Sequence, residues 1–214
     1  IKYDPDVTES GGWSCWALNR YGCAGIWAIY EGTNRARIDE IKADYHQTLE
    51  RSITEDGTWS EGTGYAAARL AHARDAKSHF MDVLSFTGEA NYYEDPLMVN
   101  FYEWLFGYVP TPFKYTNPFG DASPKSVAFH YGSPTYRAGR FSEKAGRLAA
   151  WARWDNSKPE PELLFYLSMD ALPPEPLKPS SKIFPSGGAW FMEEDIDENS
   201  LSVALWNPNE GEDY

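Results

Sequence analysis

The stretch "LPPEPLKPSS", residues 172 to 181, divides this chain into two kinds of sequence. Proline fixes φ and removes a backbone donor, so a proline-rich run belongs to neither a helix interior nor a central strand. Before it, apolar residues recur at helical spacing. Ile38, Ile41, Tyr45, Leu49 and Ile53 follow at intervals of three and four, one stripe on an amphipathic helix. After it, "SKIF", "GAWFMEE" and "SLSVALWN" alternate and are punctuated by Gly and Asn, which reads as short strands. Helix hairpins, a linker and then antiparallel strands predict a fold that is mainly α followed by β.

The remaining helices are legible by their ends. Residues 14 to 30 run apolar and stop at "EGTN", where Gly32 suits a C-terminal cap and Asn34 an N-cap for the next helix. An Ala-rich helix begins near Thr63 and carries Arg69, His72, Arg74 and His79. Another covers about 96 to 107, with Pro in its first turn. Helices return at about 140 to 154 and 160 to 168. Between 108 and 135 the text is dense in Pro, Gly and aromatics, a long loop of the kind that usually carries function.

The chain has 214 residues, enough for a sizeable core, with 42% hydrophobic and 24% charged residues. Aromatics reach 16%, including nine Trp and fourteen Tyr. Large rings fill cores, and they also stack on the apolar face of a pyranose. A formal net charge of -13 argues against nucleic acid as a partner. No apolar run is long enough to span a bilayer, so no membrane insertion is expected. Cys15 and Cys23 lie two helical turns apart, roughly 12 Å, too far to bridge each other, and no CxxC metal pattern occurs. The chain starts at Ile1 and stops at Tyr214 within sheet-forming text, which reads as a piece of a longer protein.

One loop combines residues that a core has little use for. "DGTWSEGTGYAAA", residues 56 to 68, puts an Asp-Gly turn, a Trp, a carboxylate and a phenol just where a helix begins. With "NPFGDAS" at 117 to 123, "FPSGGAWFMEED" at 184 to 195 and "SLSVALWN" at 200 to 207, it resembles the heparinase II/III-like polysaccharide lyases. The likeness spans nearly the whole chain; each piece is short, and their order and spacing carry it. The resemblance implies an (α/α) toroid leading into an antiparallel β-sandwich. Residues 1 to 171 would be the later part of the toroid, 172 to 181 a linker, and 182 to 214 the first sandwich strands.

It also implies a reaction: β-elimination on a uronate-containing polysaccharide. The proton alpha to the carboxylate is weakly acidic, so that carboxylate must be neutralised or hydrogen-bonded as charge develops. A base takes the proton and an acid protonates the departing glycosidic oxygen. A Tyr can serve if nearby cations or hydrogen bonds lower its pKa. Tyr65 stands where the family places that Tyr, and is the expected proton relay; a Tyr packed at a helix start is the structural alternative. The family places an Asn or His ahead of the preceding helix pair, where this chain has Ser10, Gly11 and Gly12, so Asn19 is the nearest neutralising amide. A further His would come from the sandwich, beyond Tyr214.

The other expected site residues bind or orient. Trp59 is the stacking candidate, with burial in a core the equal alternative. Glu61 would bond backbone N–H groups at the following helix start, or orient Arg69, which suits an acidic substrate. Asp121 resembles a family motif residue, or stiffens its loop through an Asx turn. His130 follows in the same loop segment. Long-range repulsion from the net charge is screened within about 10 Å at moderate salt, so local cations decide. Arg20, Arg69, Arg74, Lys114, Arg137 and Arg140 are available.

The resemblance implies an acidic polysaccharide or oligosaccharide as partner, a periplasmic or secreted bacterial setting, and no cofactor for the reaction. A structural divalent metal in the sandwich stays open. Two other classes fit the residues. A glycoside hydrolase on an α/α barrel needs two carboxyl groups, which Glu61 with Asp56 or Asp121 could supply. A non-catalytic carbohydrate-binding homologue would keep the fold and the aromatic groove without the chemistry.

Overall fold

A computed structural model describes residues 14–32, 34–60, 62–63, 76–109, 117, 119, 138–152, 175–197 and 199–207. Their helices are α1 (Ser14–Tyr30), α2 (Arg35–Ser52), α3 (Ala76–Thr87), α4 (Pro96–Gly107) and α5 (Glu143–Ala152). A 3₁₀ turn at Tyr92–Glu94 leads into α4. Among the described residues three strands follow the proline-rich stretch: β1 (Lys182–Phe184), β2 (Gly188–Met192) and β3 (Ser202–Trp206). Helix followed by strand is therefore the observed order.

Local chemistry explains the helix ends. Gly32 has φ +62, a conformation that ends α1 without a Cβ penalty. The Asn34 side chain then accepts a hydrogen bond from the Ala36 N–H at 3.0 Å and starts α2. Ile38, Ile41, Tyr45 and Leu49, the stripe read from the sequence, are the buried face of that helix. Asp95 caps α4 by accepting from Leu97 N–H at 2.9 Å, and Pro96 fills the first helical position, where no intrahelical donor is needed. The helix expected from Thr63 is described only at Thr63 and again from Ala76 to Thr87. The one expected at 160 to 168 lies outside the described residues.

The strands form an antiparallel sheet in the order β1-β2-β3. Lys182 pairs with Trp190, and Trp190 with Ala204. One face turns Phe184 and Trp190 inward, each 1% exposed. The opposite face leaves Ile183, Phe191, Val203 and Leu205 exposed. Register puts Ile183, Ala189 and Leu205 in one cross-strand row and Phe191 beside Val203 in the next, so that outer face is continuous and apolar.

The core does not stop at the prolines. Phe184 and Trp190 belong to the same buried cluster as Trp104, Tyr108, Phe101 and Trp59. The described part of the expected linker is docked as well. Leu177 N–H donates to the Arg147 carbonyl at 2.9 Å, and Arg147 Nε donates to the Glu175 carbonyl at 3.3 Å. Residues 175 to 181 thus follow α5 to the sheet as a seated segment.

Candidate functional site

The "DGTW" turn is built from its own side chains. Thr54 Oγ1 donates to Asp56 Oδ1 at 2.5 Å, and the Thr58 N–H donates to Thr54 Oγ1 at 3.0 Å. Backbone bonds from Thr54 N–H to the Thr58 carbonyl and from Ser60 N–H to the Ser52 carbonyl, both 2.9 Å, close the loop on the end of α2. Gly57 has φ +92, and a Cβ on it would run into the Asn100 backbone of α4. Only glycine permits both the turn and that approach.

Two distant segments are fastened to this loop. Asp56 Oδ2 accepts from the Ser186 N–H, in the turn between β1 and β2, at 2.7 Å. Beside it Gly187 lies so close to Thr58 that a Cβ there would collide with the threonine side chain. Further along, the Thr63 N–H donates to the Phe119 carbonyl at 3.2 Å, and the Phe119 N–H donates back to Thr63 Oγ1 at 3.2 Å. Thr63 Oγ1 also donates to the Asn117 carbonyl. Phe119 reaches the sheet, edge-on to Trp190 at 6.2 Å and stacked on Trp206 at 5.8 Å.

Beneath the junction lies an aromatic cluster. Trp190 meets Phe184 at 5.2 Å and Trp104 at 6.2 Å, both edge-on, and Tyr108 meets Phe184 at 4.9 Å. Among the described residues the buried indole nitrogens of Trp104 and Trp190 have no acceptor, and ring packing holds the cluster. At its rim the Lys182 ammonium sits 4.6 Å from the Phe184 ring centroid. Burial pushes that lysine below its ordinary range, and Lys144 adds to the effect.

The predicted residues divide sharply. Trp59 is fully buried, packed against Phe101 at 5.7 Å between centroids. The core alternative is the one observed, and an enclosed ring offers no face to a sugar. Asn19 is half-buried on α1, and among the described residues no hydrogen bond joins it to the 54–63 loop. Arg140 lies 4.1 Å over the Tyr93 ring, a cation–π contact within the helical layer. Tyr65, Glu61, Arg69, Asp121 and His130 lie outside the described residues.

Two described tyrosines have the wrong acidity to replace Tyr65. Burial, with Asp95 and Glu50 nearby, pushes the Tyr92 phenol far up. Burial and Glu103 likewise raise Tyr108, against a lowering hydrogen bond with Ser180. A relay needs the opposite shift. Among the described residues no group of three His, Cys, Asp or Glu side chains could hold a metal ion, and no helix is long and apolar enough to cross a membrane.

Asp56 and Ser186 are the residues that sequence reasoning did not pair. The Thr-x-Asp-Gly-Thr spacing signals a side-chain-braced turn, but nothing local points to Ser186. No family model, curated protein or solved structure matches the chain.

Proposed function

We propose that this chain is part of a polysaccharide lyase that cleaves a uronate-containing polysaccharide by β-elimination. Tyr65 is the proton relay in this reading, and Asn19, Glu61, Arg69, Asp121 and His130 are the candidates for charge neutralisation and binding. One observation supports it most. The described parts of the segments that carry the family resemblance, 56–60 and 62–63, 117 and 119, 184–192 and 202–206, converge on one junction through the Asp56–Ser186, Thr63–Phe119 and Phe119–Trp206 contacts. A two-loop site needs such convergence, and scattered segments would have spoken against it.

The finer architecture goes with the proposal: toroid helices before the prolines and a β-sandwich after them. The apolar outer face around Ile183, Phe191, Val203 and Leu205 suits a second sheet packed roughly 10 Å away. The substrate class is an acidic polysaccharide or oligosaccharide, the setting periplasmic or extracellular, and the reaction uses no cofactor.

The test is direct. The intact protein, given uronate polymers such as alginate, heparan sulfate or ulvan, should release products with a new double bond, read as ultraviolet absorbance. Reducing ends without that absorbance would favour the hydrolase, and binding without either would favour a non-catalytic homologue. Tyr65→Phe should lower turnover by about 10²–10⁴-fold while the melting temperature stays put. A Phe variant with most of its activity removes Tyr65 from the chemistry.

A further inference from the structure

We infer that Asp56 is a positioning residue: it locks the loop leading to Tyr65 onto the β1–β2 turn, so that the seating of the sheet sets the geometry of the loop. The inference deepens the lyase reading and rests on it for its catalytic consequence, but the lock itself stands on contacts alone. Asp56 divides its carboxylate between two structures. Oδ1 faces inward to Thr54 Oγ1 at 2.5 Å, with Thr58 Oγ1 at 3.4 Å, and Oδ2 faces outward to the Ser186 N–H at 2.7 Å. The two ends of that bridge are 130 residues apart in sequence.

Both sides of the lock are stiff. On the loop side, Gly57 is pressed onto the α4 backbone, and Asn100 Nδ2 donates to the Glu55 carbonyl at 3.3 Å. On the sheet side, Gly187 abuts Thr58, its N–H donates to the Phe184 carbonyl at 3.0 Å, and Phe184 is anchored in the core. A displacement of the β1–β2 turn therefore has to move Asp56 or break its bond. Thr63, seven residues on, is fixed to Phe119, which itself stacks on the third strand. The loop is held by the sheet at both ends of its described length.

The hydrogen bonds of the lock use Asp56 as an acceptor and a shape, and its charge acts only weakly beyond them, as the smallest influence on Lys182. An asparagine satisfies the same geometry if its carbonyl faces Ser186 and its amide faces Thr54, whose hydroxyl can turn to donate to Thr58. An alanine satisfies neither side. A hydrolytic base or acid at position 56 would instead require the carboxyl group itself.

The experiment compares Asp56→Asn, Asp56→Ala and Gly187→Ala with the unmodified full-length protein. Amide hydrogen exchange across residues 54 to 63 and at Ser186 reads the lock, and alginate, heparan sulfate and ulvan serve as turnover probes. Asp56→Ala should speed exchange of the loop and the turn about tenfold or more, the loss of one to two hydrogen bonds. It should also lower kcat about 10–100-fold with KM nearly unchanged, as a misplacement of about 1 Å would. Asp56→Asn should restore both. Gly187→Ala, which pushes from the sheet side, should reproduce the faster loop exchange, and it decides the matter should Asp56→Ala not fold. Unchanged loop exchange in Asp56→Ala and Gly187→Ala would overturn the lock, as would an Asn variant as damaged as the Ala one. No product from the unmodified protein on any polymer would remove the lyase reading, while exchange would still decide the lock.

Discussion

The ring of Phe119 stacks on that of Trp206, centroids 5.8 Å apart and planes 24° from parallel. Phe119 is thereby held by β3, and the bond pair between Phe119 and Thr63 passes that hold to the "DGTW" loop. The stack should be measurable. A double-mutant cycle of Phe119→Ala and Trp206→Ala, followed by urea denaturation, should show a coupling of about 0.5–1.5 kcal/mol. Additive effects would mean that the two rings lie together without holding each other.

Trp59 invites a sharper test, since a core residue and a sugar platform fail differently. Its full burial against Phe101 leads us to expect that Trp59→Ala lowers stability by about 3–5 kcal/mol. A platform would instead lose polymer affinity while the denaturation midpoint held. Parallel denaturation and binding measurements on the one variant separate the outcomes.

Tyr93 and Asp82 form a second buried polar pair, the phenol donating to Asp82 Oδ1. Tyr93→Phe keeps the ring that packs on Phe141 at 4.6 Å and under Arg140, and removes only the hydroxyl. The expected cost is about 0.5–1.5 kcal/mol, the net contribution of one intramolecular hydrogen bond. A stability unchanged within error would show that this bond adds nothing to the fold.

The pairing of Glu89 with Arg35 at 2.6 Å and Lys42 at 3.3 Å gives a pH prediction. The hydrogen bond from Arg35, then that from Lys42, holds the Glu89 carboxyl below its ordinary value of 4.5. A depressed folded-state pKa contributes stability above the unfolded value, and that contribution disappears as pH falls through the folded one. Glu89→Gln should therefore melt below the unmodified protein at neutral pH, and the gap should close on acidification below the ordinary glutamate range. High salt should shrink it at neutral pH, because the pair lies near the surface. A gap independent of pH would assign the effect to packing.

These expectations also show what the sequence could and could not convey. The Ile38 to Leu49 stripe, the Asn34 cap and the alternation of "SLSVALWN" are local rules, and the helices and strands follow them within a residue or two. Trp59 was ambiguous because its neighbours Thr58 and Ser60 are polar, so no periodic pattern marked it as core. The bond from Ser186 to Asp56 joins two turns, and turns carry no repeat that betrays a distant partner. The docking of 175 to 181 was hidden for a related reason: proline composition reports backbone stiffness, and says nothing about what Leu177 rests on.

The shared aromatic cluster has a consequence for how such a molecule can change over time. Phe184 and Trp190 are enclosed together with Trp104 and Tyr108, although the proline-rich stretch lies between the pairs in sequence. A gene fusion that grafts a foreign sheet after residue 181 inherits a gap the size of two rings unless the graft brings equivalent aromatics. The same constraint acts on point changes: positions 104, 108, 184 and 190 must alter size in compensation. The most natural place to cut this gene is thus a poor place to recombine it.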